Sequence, residues 1–424
     1  MIAQVLAPTF LAWGIAGLAT VGVIARPFGW PEAVWAVSGA LLLVLFGLMP
    51  PADALKGITK GTDVYLFLSG MMLLSELARK ECLFDWAAGI ATAAAKGSAT
   101  RLFLGVYAVG TIVTVFLSND ATAVVLTPAV YAAVRTAKIA KPLPYLFTCA
   151  FIANAASFVL PISNPANLVV FGGGHMPPLL EWLKMFLLPS LVSVVITFVV
   201  LRLTQARTLT QERVATDIKR APLSRGGKIA GSGIVITAVA LIGASAAGTD
   251  LGLPTFISGL ATALIILIVS RESPASVLKN ISWGVLPLVA GLFVLVAALD
   301  RTGVIKAIAD ALRAATSATP EGTAAAAGVL VAFVSNLVNN LPSGLVAGSA
   351  VQSAPVPKAV AGAILIGVDL GPNLSVTGSL ATILWLTALR REGETVAAWQ
   401  FLKLGAVVMI PALVLSIGAL LLVV

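Results

Sequence analysis

The sequence predicts an all-α polytopic membrane protein made of two inverted-topology repeats, each with five transmembrane helices, one of them discontinuous, plus a re-entrant helical hairpin. Three observations carry that expectation. Of 424 residues, 59% are hydrophobic and 11% charged, against about 45–50% and about 25% in an ordinary soluble domain. Apolar runs long enough to cross a hydrocarbon core of about 30 Å recur along the chain, whereas barrel strands would alternate over about 10 residues. The pattern of the first half then returns in the second.

In order, the runs fall at 9–25, 33–49, 64–78, 102–118, 121–134, 145–171 and 180–203. After a polar, basic linker at 204–228 they resume at 230–247, 253–270, 281–299, 324–338, 344–352, 359–388 and 402–424. Two amphipathic stretches, 82–96 and 303–316, suit helices lying in the membrane interface. Residue 33 matches 253, 64 matches 281, 82 matches 303, 102 matches 324, 145 matches 359 and 180 matches 402, so the chain reads as an internal duplication. The first repeat, 1–203, holds a hairpin at 102–135 and a broken helix at 145–171; the second, 229–424, holds a hairpin at 323–352 and a broken helix at 359–388. An odd number of crossings per repeat inverts the second relative to the first. The return run 344–352 rises only about 14 Å at about 1.5 Å per residue, which favours a re-entrant hairpin over two spans.

The net charge of +9 reads as topology rather than nucleic-acid binding, because the basic residues lie in short segments between apolar runs. Placing the linker in the cytoplasm puts both termini outside and 20 of the 27 Lys and Arg inside, as the positive-inside rule asks. The opening "MIAQVLAP" has no basic residue, so a cleaved signal peptide is not expected. Cys82 and Cys149 alone support neither a disulfide framework nor a structural zinc site, and no permanent metal or other cofactor is expected. No Walker motif occurs, so ATP hydrolysis would need another chain. His175, the lone histidine, reads as an incidental loop residue.

Four polar interruptions break the apolar pattern at corresponding places in the two halves. "LSND" (117–120) and "NLVNNLPS" (336–343) stand at the hairpin turns; "LPISNPAN" (160–167) and "DLGPNLSVTGS" (369–379) sit inside the two longest runs. Pro161 and Pro165 in the first long run, and Gly371, Pro372 and Gly378 in the second, interrupt the helical ladder, with Pro342 at the second hairpin turn. Backbone freed in hydrocarbon costs several kcal/mol per group, so such breaks must line a protein cavity. Ser118, Asn119, Asn164, Asn167, Asn336, Asn339, Asn340, Asn373, Ser375 and Thr377 supply donors and acceptors beside them and are the candidate substrate-binding residues. Among the acids, Asp120 and Asp369 alone fall at membrane depth, where ionisable groups are costly and usually functional, so both are candidate proton carriers. The first hairpin tip carries Asn119-Asp120 and the second Asn339-Asn340, an acid facing an amide. Together these features imply a carrier with its site near the midplane.

"SNDATAVVLTPAV", "VSNLVNNLPSGLVAG" and "GVDLGPNLSVTGSLATILWL" with "REGETVAAWQFLKLGAVVMIPAL" resemble the arsenical pump membrane proteins, the ArsB-type arsenite and antimonite exporters of the ion transporter superfamily. The likeness spans essentially the whole chain. It implies proton-driven efflux of trivalent arsenic and antimony as neutral trihydroxides across the bacterial inner membrane, in some cases with a cytoplasmic ATPase subunit bound. By motif position, Asn119, Asp120, Asn339, Asn340, Asp369 and Pro372 carry over. Asn154 departs, since the family pattern has Asp there; if that Asp takes part in proton coupling, the task falls here to Asp120 or Asp369, or the coupling differs.

The residues agree with a neutral hydroxylic solute, which needs hydrogen bonds rather than counter-charges. Thiolate capture of arsenic would need about three sulfurs. A sodium-coupled carrier or sodium/proton antiporter is the nearest rival, since amides and loose carbonyls can hold Na⁺. An intramembrane hydrolase is disfavoured by the lack of a nucleophile motif such as G-x-S-x-G, and a passive channel by the discontinuous helices.

Overall fold

The computed structural model describes residues 2–172, 176–215 and 222–424, so His175 and part of the linker, 216–221, lie outside the described residues. The first half runs through α1 (Ile2–Ala25), α2 (Glu32–Leu45), α3 (Pro51–Lys60), α4 (Thr62–Lys80), α5 (Leu83–Ala94) and α6 (Ala99–Phe116). A π-helical turn, Ala121–Leu126, leads into α7 (Thr127–Thr136), followed by α8 (Leu143–Ala155), α9 (Pro165–Phe171), α10 (Leu179–Thr204) and the short α11 (Ala206–Gln211). The second half repeats that order as α12 (Arg225–Ala246), α13 (Gly252–Ser270), α14 (Ala275–Leu278), α15 (Val285–Arg301), α16 (Val304–Ala318) and α17 (Pro320–Val338). It ends with α18 (Asn340–Ser353), α19 (Lys358–Leu370), α20 (Leu380–Arg391) and α21 (Ala398–Leu421). Helices α1 to α10 thus answer α12 to α21 one for one, and no strand occurs among the described residues.

The packing is reciprocal. Helix α4 lies on α13 while α2 lies on α15, α9 lies on α18 while α20 lies on α7 and its π-helical turn, and α10 packs on its own counterpart α21. Burial sorts the helices by role. Every residue of α9, all but the first of α8 and all but the first two of α19 are buried, whereas α12 and α13 turn Val235, Ile236, Val239, Ile257, Leu264 and Ile268 outward. An apolar outer face on a long helix is a lipid-facing surface. Among the described residues seven helices are long and apolar enough to cross a membrane, or eight if α15 and α16, bent by 72°, form one span.

The interfacial helices start from the same hinge. Cys82 before α5 (φ 56°) and Gly303 before α16 (φ 84°) both adopt the left-handed conformation, which turns the chain sharply out of α4 and out of α15. Glycine takes that conformation freely, whereas a residue with a Cβ is uncommon there.

Three details differ from the sequence reading. Helix α2 stops at Leu45 rather than 49, after 14 residues, because Gly47 in the left-handed region and the Pro50-Pro51 pair end it. The second hairpin's return arm is a 14-residue helix, about 21 Å long and still short of a crossing; its polar first turn, Asn340 to Ser343, extends the apolar run. The first break opens at Ala156, five residues before Pro161, and Pro165 begins α9 at a first-turn position where its missing N–H costs nothing. That proline restarts the helix instead of breaking it.

Side-chain amides hold both breaks in shape. In the first, Asn167 Nδ2 donates to the carbonyls of Ser157 (2.9 Å), Leu160 (3.2 Å) and Pro161 (3.2 Å). In the second, Asn336 reaches across from the hairpin: its Nδ2 donates to Ala332 O (2.7 Å) and Gly371 O (3.0 Å), and its Oδ1 accepts from Ser375 Oγ (2.8 Å). Thr377 Oγ1 donates to Asn336 O at 3.0 Å. The second hairpin also lies flush on its broken helix, since a Cβ on Gly371 would meet Ala332 Cα and O at 2.6 Å.

Asn336→Ala should lower stability by about 1–3 kcal/mol, since Gly371 O loses a buried donor, while Ser375 Oγ keeps Thr377 Oγ1 as its partner. Gly371→Ala should cost about 1–3 kcal/mol through overpacking. Melting of the purified protein in detergent reads both, and native-like melting of either variant would contradict the corresponding contact.

Candidate functional site

Four helices begin at the centre of the molecule, each with a polar cap. Ser118 Oγ accepts from Ala121 N (3.2 Å) at the first hairpin's return arm, and Asn339 Oδ1 accepts from Leu341 N (3.3 Å) at α18. Asn164 Oδ1 accepts from Ala166 N (3.0 Å) at α9, and Ser379 Oγ from Thr382 N (3.1 Å) at α20. Short polar side chains at these positions satisfy the free N–H groups of a first turn. Residues at or next to these caps line one narrow cleft with a cavity volume of about 20 Å³, room for about one water molecule. Its walls are Asn119 and Asp120 from the first tip, Asn340 and Leu341 from the second, Asn164 and Pro165 from the first break, and Ser379 to Ala381 from the second. Leu68 of α4 and Val285 of α15 complete it.

The cleft therefore lies where both hairpins end and both long helices are interrupted. Its lining contains one carboxyl, Asp120, and no Lys, Arg, His or Cys. Helix N-termini carry partial positive charge, so four of them face a single acidic side chain.

Hydroxyl pairs fix the register of the hairpins. Thr114 and Thr122 bridge the first at 2.8 Å, and Ser335 and Ser343 bridge the second at 3.1 Å. With the caps Ser118 and Asn339 in register, Asn119 corresponds to Asn340, and Asp120 corresponds to Leu341. The sequence expectation of an acid facing an amide is off by one position, because the caps and not the Asn-rich wording set the alignment. The acid stands opposite a leucine.

The expected site residues divide into groups. Asn119, Asp120, Asn164 and Asn340 line the cleft. Ser118 and Asn339 cap the tips directly behind it, and Asn339, at φ 73°, also donates to Thr377 O (3.4 Å) while Asn340 N donates to Gly378 O (2.9 Å). Asn167, Asn336, Ser375 and Thr377 are occupied in holding the breaks. Pro161, Pro342, Gly371, Pro372 and Gly378 frame the turns and do not line the cleft.

Asp369 lies behind the wall. Fully buried on α19, it accepts from Asn164 Nδ2 at 2.8 Å through Oδ1, while Oδ2 has no partner. Asn373 joins the two repeats, donating to Phe151 O (2.9 Å) and accepting from Asn154 Nδ2 (3.0 Å). The side-chain Oδ1 atoms of Asn154 and Asn167 are likewise buried without a partner. Six residues of the lining, Leu68, Val285, Leu341, Ser379, Leu380 and Ala381, were not anticipated. Ser379 was legible, since it stands 215 positions after Asn164 and precedes an apolar helix. Leu68 and Val285 carry no signal, being apolar residues within apolar runs.

Comparison with known proteins places the chain among membrane transporters. The chain is 27% identical over 427 residues to the arsenical pump membrane protein of Escherichia coli (strain K12), covering 97% of this chain and 98% of that one. It is 24% identical over 416 residues to the putative arsenical pump membrane protein of Bacillus subtilis (strain 168), covering 92% and 94%. The crystal structure of the YdaH transporter of Alcanivorax borkumensis, titled as having an unusual topology, shares the fold with a TM-score of 0.57 at 16% identity, over 98% of this chain and 97% of that one. The model of the citrate transporter family (CitMHS) matches residues 20–368. With its helical bundle, its paired breaks and that match over most of its length, the chain belongs to the citrate transporter family of membrane transport proteins.

Proposed function

We propose that this chain exports trivalent arsenic and antimony as neutral trihydroxides, in exchange for protons, by alternating access. The observation that carries the reading is the lining of the central cleft: amides, a hydroxyl, helix N-termini and one carboxyl, with no Lys, Arg, His or Cys. A trihydroxide donates and accepts at every oxygen. Helix N–H groups and amide nitrogens would donate to it, and Asp120 and amide oxygens would accept from it. Ligation by thiolates is not available in that lining, and the arsenical pumps among the relatives point to the same solute.

Two inverted repeats supply the motion. The reciprocal packing of α2, α4, α13 and α15 supports a two-fold relation between the halves. Both tips meet at the breaks of the long helices, which supports hairpins that turn back at mid-depth. Contacts between distant loops join segments assigned to one side of the membrane: Lys80 with Glu272 and Ser224 with Glu81 inside, Arg301 with Asp53 and Lys358 with Glu181 outside. This supports a cytoplasmic linker, outward-facing termini and a bacterial inner membrane location. Protons entering from outside would load Asp369 or Asp120, and a difference in their affinity between the two facing states is the coupling. A cytoplasmic ATPase subunit would dock on the inner side where relatives use one.

A second reading has one observation in its favour. Four helix N-termini around one cleft also suit a carboxylate anion, the kind of solute that the family's description names, carried with sodium.

Proteoliposomes with imposed gradients separate the two. An inward proton gradient should drive arsenite export at any sodium concentration, and sodium-dependent citrate uptake without arsenite export would replace the first reading with the second. Asp369→Asn and Asp120→Asn should each reduce proton-driven arsenite export at least about tenfold, a loss of about 1.4 kcal/mol of coupling or more. Proton-driven accumulation retained in both variants would remove the carboxylates from the mechanism. Asn340→Ala should raise the half-saturating arsenite concentration several-fold, whereas Asn336→Ala, behind the wall, should act through stability.

A further inference from the structure

The two acids occupy different places, and one side chain connects them to different ends of the same event. Asp120 faces the cleft. Asp369 does not reach it; beside Ser157, it accepts a hydrogen bond from the amide of Asn164, which is itself part of the cleft wall. We propose that Asn164 is the positioning residue through which the protonation state of Asp369 sets the shape of the transport cleft. This rests on the proton-coupled reading above and assigns a role to a residue so far treated only as lining.

The chemistry of an amide gives the argument its direction. One end of Asn164 donates and the other accepts. Its Nδ2 is committed to Asp369 Oδ1 at 2.8 Å, and its Oδ1 caps the first turn of α9 through Ala166 N at 3.0 Å. A carboxylate only accepts, and a hydrogen bond to a charged acceptor is about twice as strong as one between neutral groups. Ionised Asp369 therefore clamps Asn164, and through its cap the start of α9, in the position that lines the cleft. A proton on Asp369 turns the clamp into a weak neutral contact and lets the wall relax. Substrate and proton then exclude each other, as exchange requires.

Ser157 is the other polar side chain beside Asp369, and its hydroxyl donates to Asn154 O at 2.8 Å. Helix α19 packs against α8, α9, α17, α18 and α21. Glu321 and Lys403 stand exposed at the starts of α17 and α21, and on α8 the Tyr145 hydroxyl and Cys149 thiol face the carbonyls of Ala99 and Tyr145. Helices α9 and α18 contain no ionisable side chain. Among the described residues no ion pair involves Asp369, and the other ionisable side chain at the cleft is Asp120.

The second repeat supplies the test variant. Serine caps α20 at the position equivalent to Asn164, so Asn164→Ser keeps a cap but is too short to bridge to Asp369. Arsenite counterflow in proteoliposomes, at equal pH on both sides, measures half-saturation without net proton movement. In the native protein half-saturation should rise about tenfold between about pH 8 and about pH 6, and in Asn164→Ser and Asp369→Asn this ratio should fall to within about twofold of unity. Asn164→Thr, a second capping variant, should behave as Asn164→Ser does if that protein fails to fold. Asp120→Asn should keep the pH ratio even though it binds more weakly. A native-like pH ratio in both Asn164 variants, or in Asp369→Asn, overturns the assignment while leaving the transport function intact. Absence of arsenite counterflow in the native protein overturns the function itself, and the inference with it.

Discussion

The constraint on which the rest of this structure depends is that a helix interrupted inside a membrane must hand every freed backbone group to a partner within the protein. Two such interruptions lie back to back here, and each recruits its own set of polar side chains. Asn167 gathers three carbonyls of the first break, and Asn336 reaches from a neighbouring hairpin to tie the second. Once these groups are satisfied, the next helices can begin in the middle of the molecule, and their capped N-termini define the cleft. The cleft is thus a by-product of solving a hydrogen-bonding problem, with Asn119, Asn164 and Asn340 along its lining.

The two halves solve that problem differently. Matching hydroxyl bridges, Thr114 with Thr122 and Ser335 with Ser343, show that the hairpins share a plan. Within that plan the first return arm begins with a π-helical turn and an acid, and the second with Asn340-Leu341-Pro342. The broken helices diverge too: the position holding Asp369 in the second half holds Asn154 in the first. Each acid therefore faces a non-acidic counterpart, one at the cleft and one behind it.

Much of the architecture was legible in the sequence because it rests on hydropathy and on duplication. The order of elements, the interfacial helices near 82–96 and 303–316, and the two breaks all follow from the spacing of apolar runs and from where Asn, Gly and Pro collect. What was not legible is which polar residue faces inward. Asn336 and Asn340 sit four apart in one motif, yet one holds backbone and the other lines the cleft, and only the approach of a distant segment decides between them. Asp369 looked equivalent to Asp120 for the same reason. Break positions misled as well, since prolines drew attention to Pro161 although α8 had already ended at Ala155. The off-by-one alignment of the tips arose because repeated asparagines offer two registers, and capping bonds choose one.

The pairing of Asp120 with Leu341 has an energetic meaning of its own. A carrier assembled from two identical halves in opposite orientations would have inward-open and outward-open forms related by a two-fold rotation and equal in free energy, and it would favour neither. A single carboxyl on one tip lifts that degeneracy. Under the proposed alternating access, the empty protein would have a preferred resting direction written into its own chain, before any solute or gradient acts on it.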